Sequence, residues 1–385
     1  LILRNVYENE HGNSKIWELC DFKKIFAQMK KGFILFLAVF ALLSSSVSAA
    51  SSEDGKFNAG EMIMHHIADA HEIHLIGDLA IYLPVIVKTD NGWDVFSSSH
   101  LYHNPQTAET PSGDKVSYYQ YGDYIMFHEH LYMAGDGIEL NDEGEVMNQA
   151  VAIDLSITKT VAGMFLTILI MILIFTSVAK GYKKRGVAAP KGLQSFMEPL
   201  ILFVRDEVAR PSIGKHADRF VPFLLSVFFF IWISNILGLI PFLGGLNITG
   251  TLSVTMVLAA IVFIVTSING NKHYWGHILW PPGVPFFVKL ILVPIEFAGI
   301  FIKPLVLMVR LTANITAGHI IILAFVALIF IFGEQSASAG YGIGIGSTLF
   351  MIFMNFIELL VAFLQAYVFT LLSALYFGAA VEEAH

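Results

Sequence analysis

Four charged side chains, Lys289, Glu296, Lys303 and Arg310, recur every seven residues inside an otherwise apolar stretch. At about 100° per residue on a helix they fall within ~60° of one another, and Asn314 joins the same stripe. Placing a charge at the centre of a bilayer costs about 2.5–3.5 kcal/mol on insertion scales, so such a residue marks function by default. Lys289 is near enough to an end to snorkel. Arg310 is not, because stretches of about twenty mostly apolar residues flank it on either side. Glu358 and Gln365 are likewise seven apart, with Tyr376 close to their face. His319 follows Arg310 by nine residues and points about 180° away from it. Arginine holds a fixed positive charge in any protein environment, whereas histidine titrates near neutrality and can relay protons with a carboxylate. The polar groups make at least two separate surfaces. That is odd for one substrate pocket and natural for two half-pathways.

The elements that must carry these groups are membrane helices. Of 385 residues, 55% are hydrophobic and 14% charged, against about 25% charged in soluble domains, and mean hydropathy is +0.66. This excludes a cytosolic enzyme, a coiled coil and, with a net charge of −8, a nucleic-acid partner. Cys20 is the single cysteine, so neither an internal disulfide nor a cysteine metal cluster is possible. Spans are predicted over residues 157–178, with Lys159 snorkelling at the outer end, then 220–241, 252–268, 286–332 and 346–377. The fourth, 47 residues long, reads as one steeply tilted, kinked helix antiparallel to the fifth. The segment between the first two spans carries nine basic residues against four acidic ones and is placed in the cytoplasm. Residues 242–250 and 333–345 then fall outside, and the C-terminus inside. The fold class is therefore an all-α multi-pass membrane protein of about five spans (residues 155–385) with a small α+β extracytoplasmic annex (residues 50–154).

Residues 29–49 read as a signal peptide: Lys30-Lys31, a short apolar core, and Val47 and Ala49 at the small-residue positions. The 28 residues before it read as a start assigned upstream of Met29, or as a long n-region. In the annex, helical spacing from Phe57 to Ala70 gives way to a strand over 79–87 returning through Trp93 to Ser97, and a strand-like run over 117–127. The annex holds eight of the fourteen histidines. A metal reading of His65, His66, His71 and His74 needs His71 and His74 on one helix; otherwise they form a polar surface or a partner contact. His128 and His130 would share one side of a strand. No metal or other cofactor is expected.

The run Arg310-Leu311-Thr312-Ala313-Asn314-Ile315-Thr316-Ala317-Gly318-His319 resembles the intramembrane arginine motif of subunit a of F-type ATP synthases. Leu364-Gln365-Ala366-Tyr367-Val368-Phe369 and Ser234-Asn235-Ile236-Leu237-Gly238 are similar too, so the resemblance covers about 154–385. It implies that Arg310 faces the carboxylates of a rotating c-ring. It implies that Asn314, His319, Glu358, Gln365 and Asn235 line an outer half-channel, and that Glu296 belongs to the inner one. The partners implied are c-ring subunits, b-type peripheral stalk subunits, the rest of the synthase and the lipid bilayer, in a bacterial inner membrane. His319 and Glu358 are exchanged relative to many bacterial members, as in the mitochondrial branch. The alternative is a secondary transporter or channel holding an anion on Arg310, although internal repeats of the transporter kind are not found. A third reading, a metal-binding or receptor annex anchored by spans, would not need Arg310, Glu358 and Gln365 mid-membrane. The purified chain is expected to begin at or near Ala50 by intact mass or N-terminal sequencing; a retained 1–49 segment would overturn the signal-peptide assignment.

Overall fold

The structure, a computed structural model, describes residues 58–382 apart from 77–78, 90–91, 112, 114, 136, 142–143, 186–188, 241–242 and 244. The expected signal peptide, the 28 residues before it and Cys20 lie outside the described residues.

The annex opens with α1 (Ala59–Ile67), followed by β1 (Glu72–Ile76), β2 (Leu79–Tyr82), β3 (Pro84–Thr89) and β4 (Gly92–Ser97). Then come α2 (Ser99–Tyr102), β5 (Pro105–Glu109), β6 (Lys115–Tyr121), β7 (Tyr124–Phe127), β8 (His130–Met133) and β9 (Ile153–Asp154). The strands form three antiparallel sheets: β1-β2, β4-β3-β9 and the meander β5-β6-β7-β8. Val85, Val87, Leu101, Tyr124, Met126 and Leu131 make its core.

The annex differs from the sequence expectation in four places, and each has a local cause. The strand expected over 79–87 is two strands, because Pro84 has no N–H for a ladder and the Leu83 N–H donates instead to the His71 carbonyl and to Ser98 Oγ, both at 3.1 Å. The run over 117–127 is a hairpin, turned at Gly122 with φ +56°. His128 and His130 do not share a strand: His128 and Glu129 take φ +47° and +65° in the tight turn joining β7 to β8, where two positive φ values match the strand twist. His71 and His74 are not a helical pair, since α1 ends at Ile67 and His74 lies in β1. The annex is a small domain of helix and strand, as expected, with the strands predominating.

In lipid, every backbone polar group must be satisfied within the chain, so the remaining elements are helices. They are α3 (Lys159–Arg185), α4 (Leu193–Leu202), a π-helical stretch (Phe203–Ala209), α5 (Arg210–Ile213), α6 (Ala217–Gly238), α7 (Leu252–Asn269), α8 (Lys272–Leu279), α9 (Phe286–Gln335) and α10 (Ala337–Val381). Among the described residues, five spans are long and apolar enough to cross a membrane. The segment expected as a basic loop before α6 is largely helical. It turns at Gly214, with φ +72°, after Asp206 has taken up both Arg205 and Arg210, at 2.9 and 2.8 Å. α9 is continuous through Pro294 and Pro304. Its 50 residues reach ~75 Å, a length that a ~30 Å hydrocarbon core accepts only with strong tilt.

The loop expected over 333–345 is absent: α10 starts at Ala337, and Ser336 alone breaks the helix, its hydroxyl accepting the Ala339 N–H at 3.2 Å. Glycine makes this possible. A Cβ on Gly340 would stand 2.8 Å from Gly333 Cα, so the two backbones meet directly. Lys159 does not snorkel. It is 5% exposed, and its ammonium donates to the His66 carbonyl at 3.1 Å. Beside it the Thr160 N–H donates to Asp69 Oδ1 at 2.9 Å, which caps α3 from the annex.

The buried core joins Phe228, Phe229 and Ile231 of α6 to Leu307 and Leu311 of α9 and to Phe369 and Phe377 of α10. At the C-terminal end of α10 a Cβ on Gly378 would overlap the Ser212 carbonyl of α5. Gly378→Ala is therefore expected to lower the stability of the subunit by about 1–3 kcal/mol. Thermal unfolding in detergent would read this as a lower midpoint, and an unchanged midpoint would contradict the close packing.

Candidate proton-path site

The register of α9 against α10 sets the site. Phe325 and Phe350 pack with ring centroids 4.1 Å apart and planes tilted by 30°, and the position for a Gly318 Cβ lies 2.6 Å from Glu358 Oε1. Gly318 thus leaves the room that the Glu358 carboxyl fills. Next to it His319 Nδ1 stands 4.0 Å from Glu358 Oε1, with the two side chains 12% and 6% exposed. Both carboxyl oxygens of Glu358 are buried without a hydrogen-bond partner. Such atoms call for solvent or a proton, since leaving them bare is costly. Carrying the register two turns further along α10 brings Gln365, also buried, to the level of Arg310.

Asn235 backs this pair from α6. Its amide donates to the Ala362 carbonyl at 3.1 Å, and its carbonyl accepts from the Thr249 hydroxyl. Both ends of the side chain are therefore engaged in tying α6 to α10 and to the loop before α7. Gly238, one turn on, lets His319 approach: a Cβ there would be 3.5 Å from His319 Nε2 and 2.9 Å from the Leu246 carbonyl. The Thr255 and Thr312 hydroxyls meet at 2.6 Å and fasten α7 to α9.

Arg310 and Asn314 face the other way. Both are exposed on the same side of α9, beside the small residues Ala313 and Ala317. Among the described residues no carboxylate lies within 4.0 Å of Arg310. The other cations of the stripe are met by rings: Lys303 lies over Tyr376 at 5.8 Å and Lys289 over Trp280 at 4.4 Å, both cation–π contacts. Thr266, Tyr274, Lys303 and Tyr376 line a small cleft between α7, α8, α9 and α10. Glu296 is half-buried near it, and burial together with the Glu296 charge pushes the Tyr274 phenol up from its ordinary pKa.

The structure thus brings His319, Glu358 and Asn235 together, sets Glu296 in a second polar place, and leaves Arg310 and Asn314 on an open face. Sequence reasoning gave Gly318 and Gly238 no structural role, and it missed Thr249. An isolated glycine within a helical pattern was the available signal for the first two.

Residues 161–378 match the family described as ATP synthase A chain, and residues 62–155 match a domain of unknown function (DUF8433). The chain is 43% identical over 242 residues to "ATP synthase subunit a" of Chloroherpeton thalassium, covering 60% of this chain and 70% of that protein. It is 39% identical over 271 residues to "ATP synthase subunit a 2" of Chlorobaculum tepidum, covering 68% and 74%. With "ATP synthase subunit a" of an Anaeromyxobacter species the identity is 34% over 352 residues, covering 87% and 74%. With the arginine-bearing helix, its antiparallel partner and most of the chain matched in this way, the chain belongs to the ATP synthase A chain family, that of subunit a of F-type ATP synthases.

Proposed function

We propose that the chain is the proton-conducting stator subunit, offering two offset half-channels to a rotating c-ring. The observation that carries this reading is Arg310: a guanidinium on an exposed face of α9, between a buried His319–Glu358 pair and a second polar cleft. In this reading His319, Glu358, Gln365, Asn314 and Asn235 belong to the outer half-channel and Glu296 to the inner one. Asn235, with both amide ends bonded, acts there by holding α6 against α10.

The chemistry follows from the groups. A protonated c-ring carboxylic acid is neutral and can turn through lipid. On meeting Arg310, which keeps its proton, the acid is favoured as carboxylate and releases its proton into the inner half-channel. The same fixed charge bars a proton from passing directly between the two. Each charge crossing 100 mV makes about 2.3 kcal/mol available, which rotation carries to the catalytic sector.

The excess of basic residues in the α3–α6 segment favours a cytoplasmic position for it, with the annex outside and the C-terminus inside. In a bacterial inner membrane this suits a chain whose residues 29–49 are a cleaved signal peptide. We assign the c-ring to the Arg310 face and a b-type stalk subunit to another part of the surface. The domain limits remain 29–49, 50–154 and 155–385, with 1–28 upstream.

Arg310→Ala should abolish proton-driven ATP synthesis while the subunit still assembles, and Arg310→Lys should fail as well, because a desolvated ammonium can lose its proton. Near-normal synthesis in Arg310→Ala membranes would refute the mechanism. For the buried pair, Gly318→Ala should displace the Glu358 side chain and no backbone, so normal subunit content with reduced proton flux is expected. His319→Glu and Glu358→His should each impair flux, with partial recovery in the double exchange. A strictly additive loss would mean that the two side chains act independently.

A further inference from the structure

The annex brings an ionisable side chain to the back of the outer half-channel. α1 packs against α9, and His66, near the end of α1, is exposed to the outside. Its Nε2 lies 2.5 Å from the point a Cβ on Gly245 would occupy. The carbonyl of the next residue, Leu246, and His319 Nε2 lie 2.9 and 3.5 Å from the point a Cβ on Gly238 would occupy. The two imidazoles therefore border the same two-residue stretch of backbone, Gly245-Leu246, and neither Gly245 nor Gly238 interposes a side chain. One residue further, Asn247 Oδ1 is buried without a hydrogen-bond partner, a polar atom that would hold a bridging water.

Charges from other elements stand around this junction. Lys159 of α3 donates to the His66 carbonyl and is within electrostatic reach of Asp69, Glu72 and Glu129. His71 is 1% exposed and has Glu129 Oε2 3.6 Å from its Nδ1. Exposed His74 pairs with Glu72 at 2.6 Å, and that hydrogen bond raises the pKa of its imidazole.

We propose that the annex is a proton-collecting vestibule and that His66 delivers protons from the outside to the His319–Glu358 pair. The inference rests on the reading of that pair as the outer half-channel. His66 takes a proton from solvent on a ring nitrogen. The proton leaves through water held at the Leu246 carbonyl and Asn247 Oδ1, passes to His319 and then to Glu358, and His66 returns to its neutral form.

The test uses the intact complex in liposomes, with proton uptake followed by a pH dye. His66→Gln keeps a polar amide but cannot titrate, so uptake should fall about threefold to tenfold at about pH 8 and much less at about pH 6, where free protons are abundant. Added imidazole should restore uptake in His66→Ala, and His103→Ala, an exposed annex histidine away from this junction, should match the unmodified complex. Unchanged uptake in His66→Gln at every pH, while Glu358→Gln blocks it, would overturn the vestibule and leave the half-channel standing. A loss in His66→Ala that imidazole does not relieve would mean a packing role and also overturn it. Full uptake in Glu358→Gln would instead remove the half-channel reading, and the vestibule with it.

Discussion

A guanidinium that cannot give up its proton, set in the middle of an apolar helix, is the constraint around which the membrane domain is arranged. Lipid offers no counter-charge to Arg310, and among the described residues no carboxylate lies within ion-pair distance. Such a charge is costly in the bilayer unless another surface receives it. The small residues beside it, Ala313 and Ala317, let that surface come close. The titratable groups that could neutralise Arg310 are held elsewhere: Glu358 behind Gly318, and Glu296 toward the Tyr274 cleft. Separation of charge, rather than pairing, is the organising feature.

Glycine sets where helices can touch and hence which polar groups meet. Gly333 and Gly340 bring the C-terminal end of α9 and the N-terminal end of α10 together, Gly318 admits the Glu358 carboxyl, Gly238 admits the His319 ring, and Gly378 admits the Ser212 carbonyl. Close backbone approach of this kind is the usual means of helix association where no hydrophobic force operates between helices. Threonines and Asn235 supply the interhelical hydrogen bonds. The same contacts that hold the bundle together therefore also fix the level of His319 against Glu358.

The annex is tied to the first span rather than hung from it. The Leu155 and Ile157 N–H groups donate to Ile86 and Pro84, and the Lys159 N–H to Ala70. Asp69 and the His66 carbonyl then close on the first turn of α3. A cation at a helix N-terminus is unfavourable in isolation, and the annex carboxylates within its electrostatic reach offset it. The small domain is thus held against the first turn of α3.

Much of this was legible in the residues alone. Hydropathy over ~20 residues finds spans because a bilayer forbids unpaired backbone groups, and the heptad spacing of Glu296, Lys303 and Arg310 fixes their common face because helical periodicity is local. The positions of Leu252–Asn269 and Phe286–Gln335 followed within a few residues. What escaped was whatever depends on a partner distant in sequence. Lys159 reads as a terminal snorkelling lysine, and only the folded annex makes it a buried donor. Residues 333–345 read as a loop, since glycine and serine signal turns locally, yet facing another glycine they permit a helix. The shared level of His319 and Glu358, by contrast, follows from counting residues along two antiparallel helices; what only the fold supplies is the gap at Gly318 that lets the two side chains stand 4.0 Å apart. The sequence by itself determined which residues must avoid lipid; the tertiary structure decided which of them meet, because that choice is made by side-chain volume across an interface.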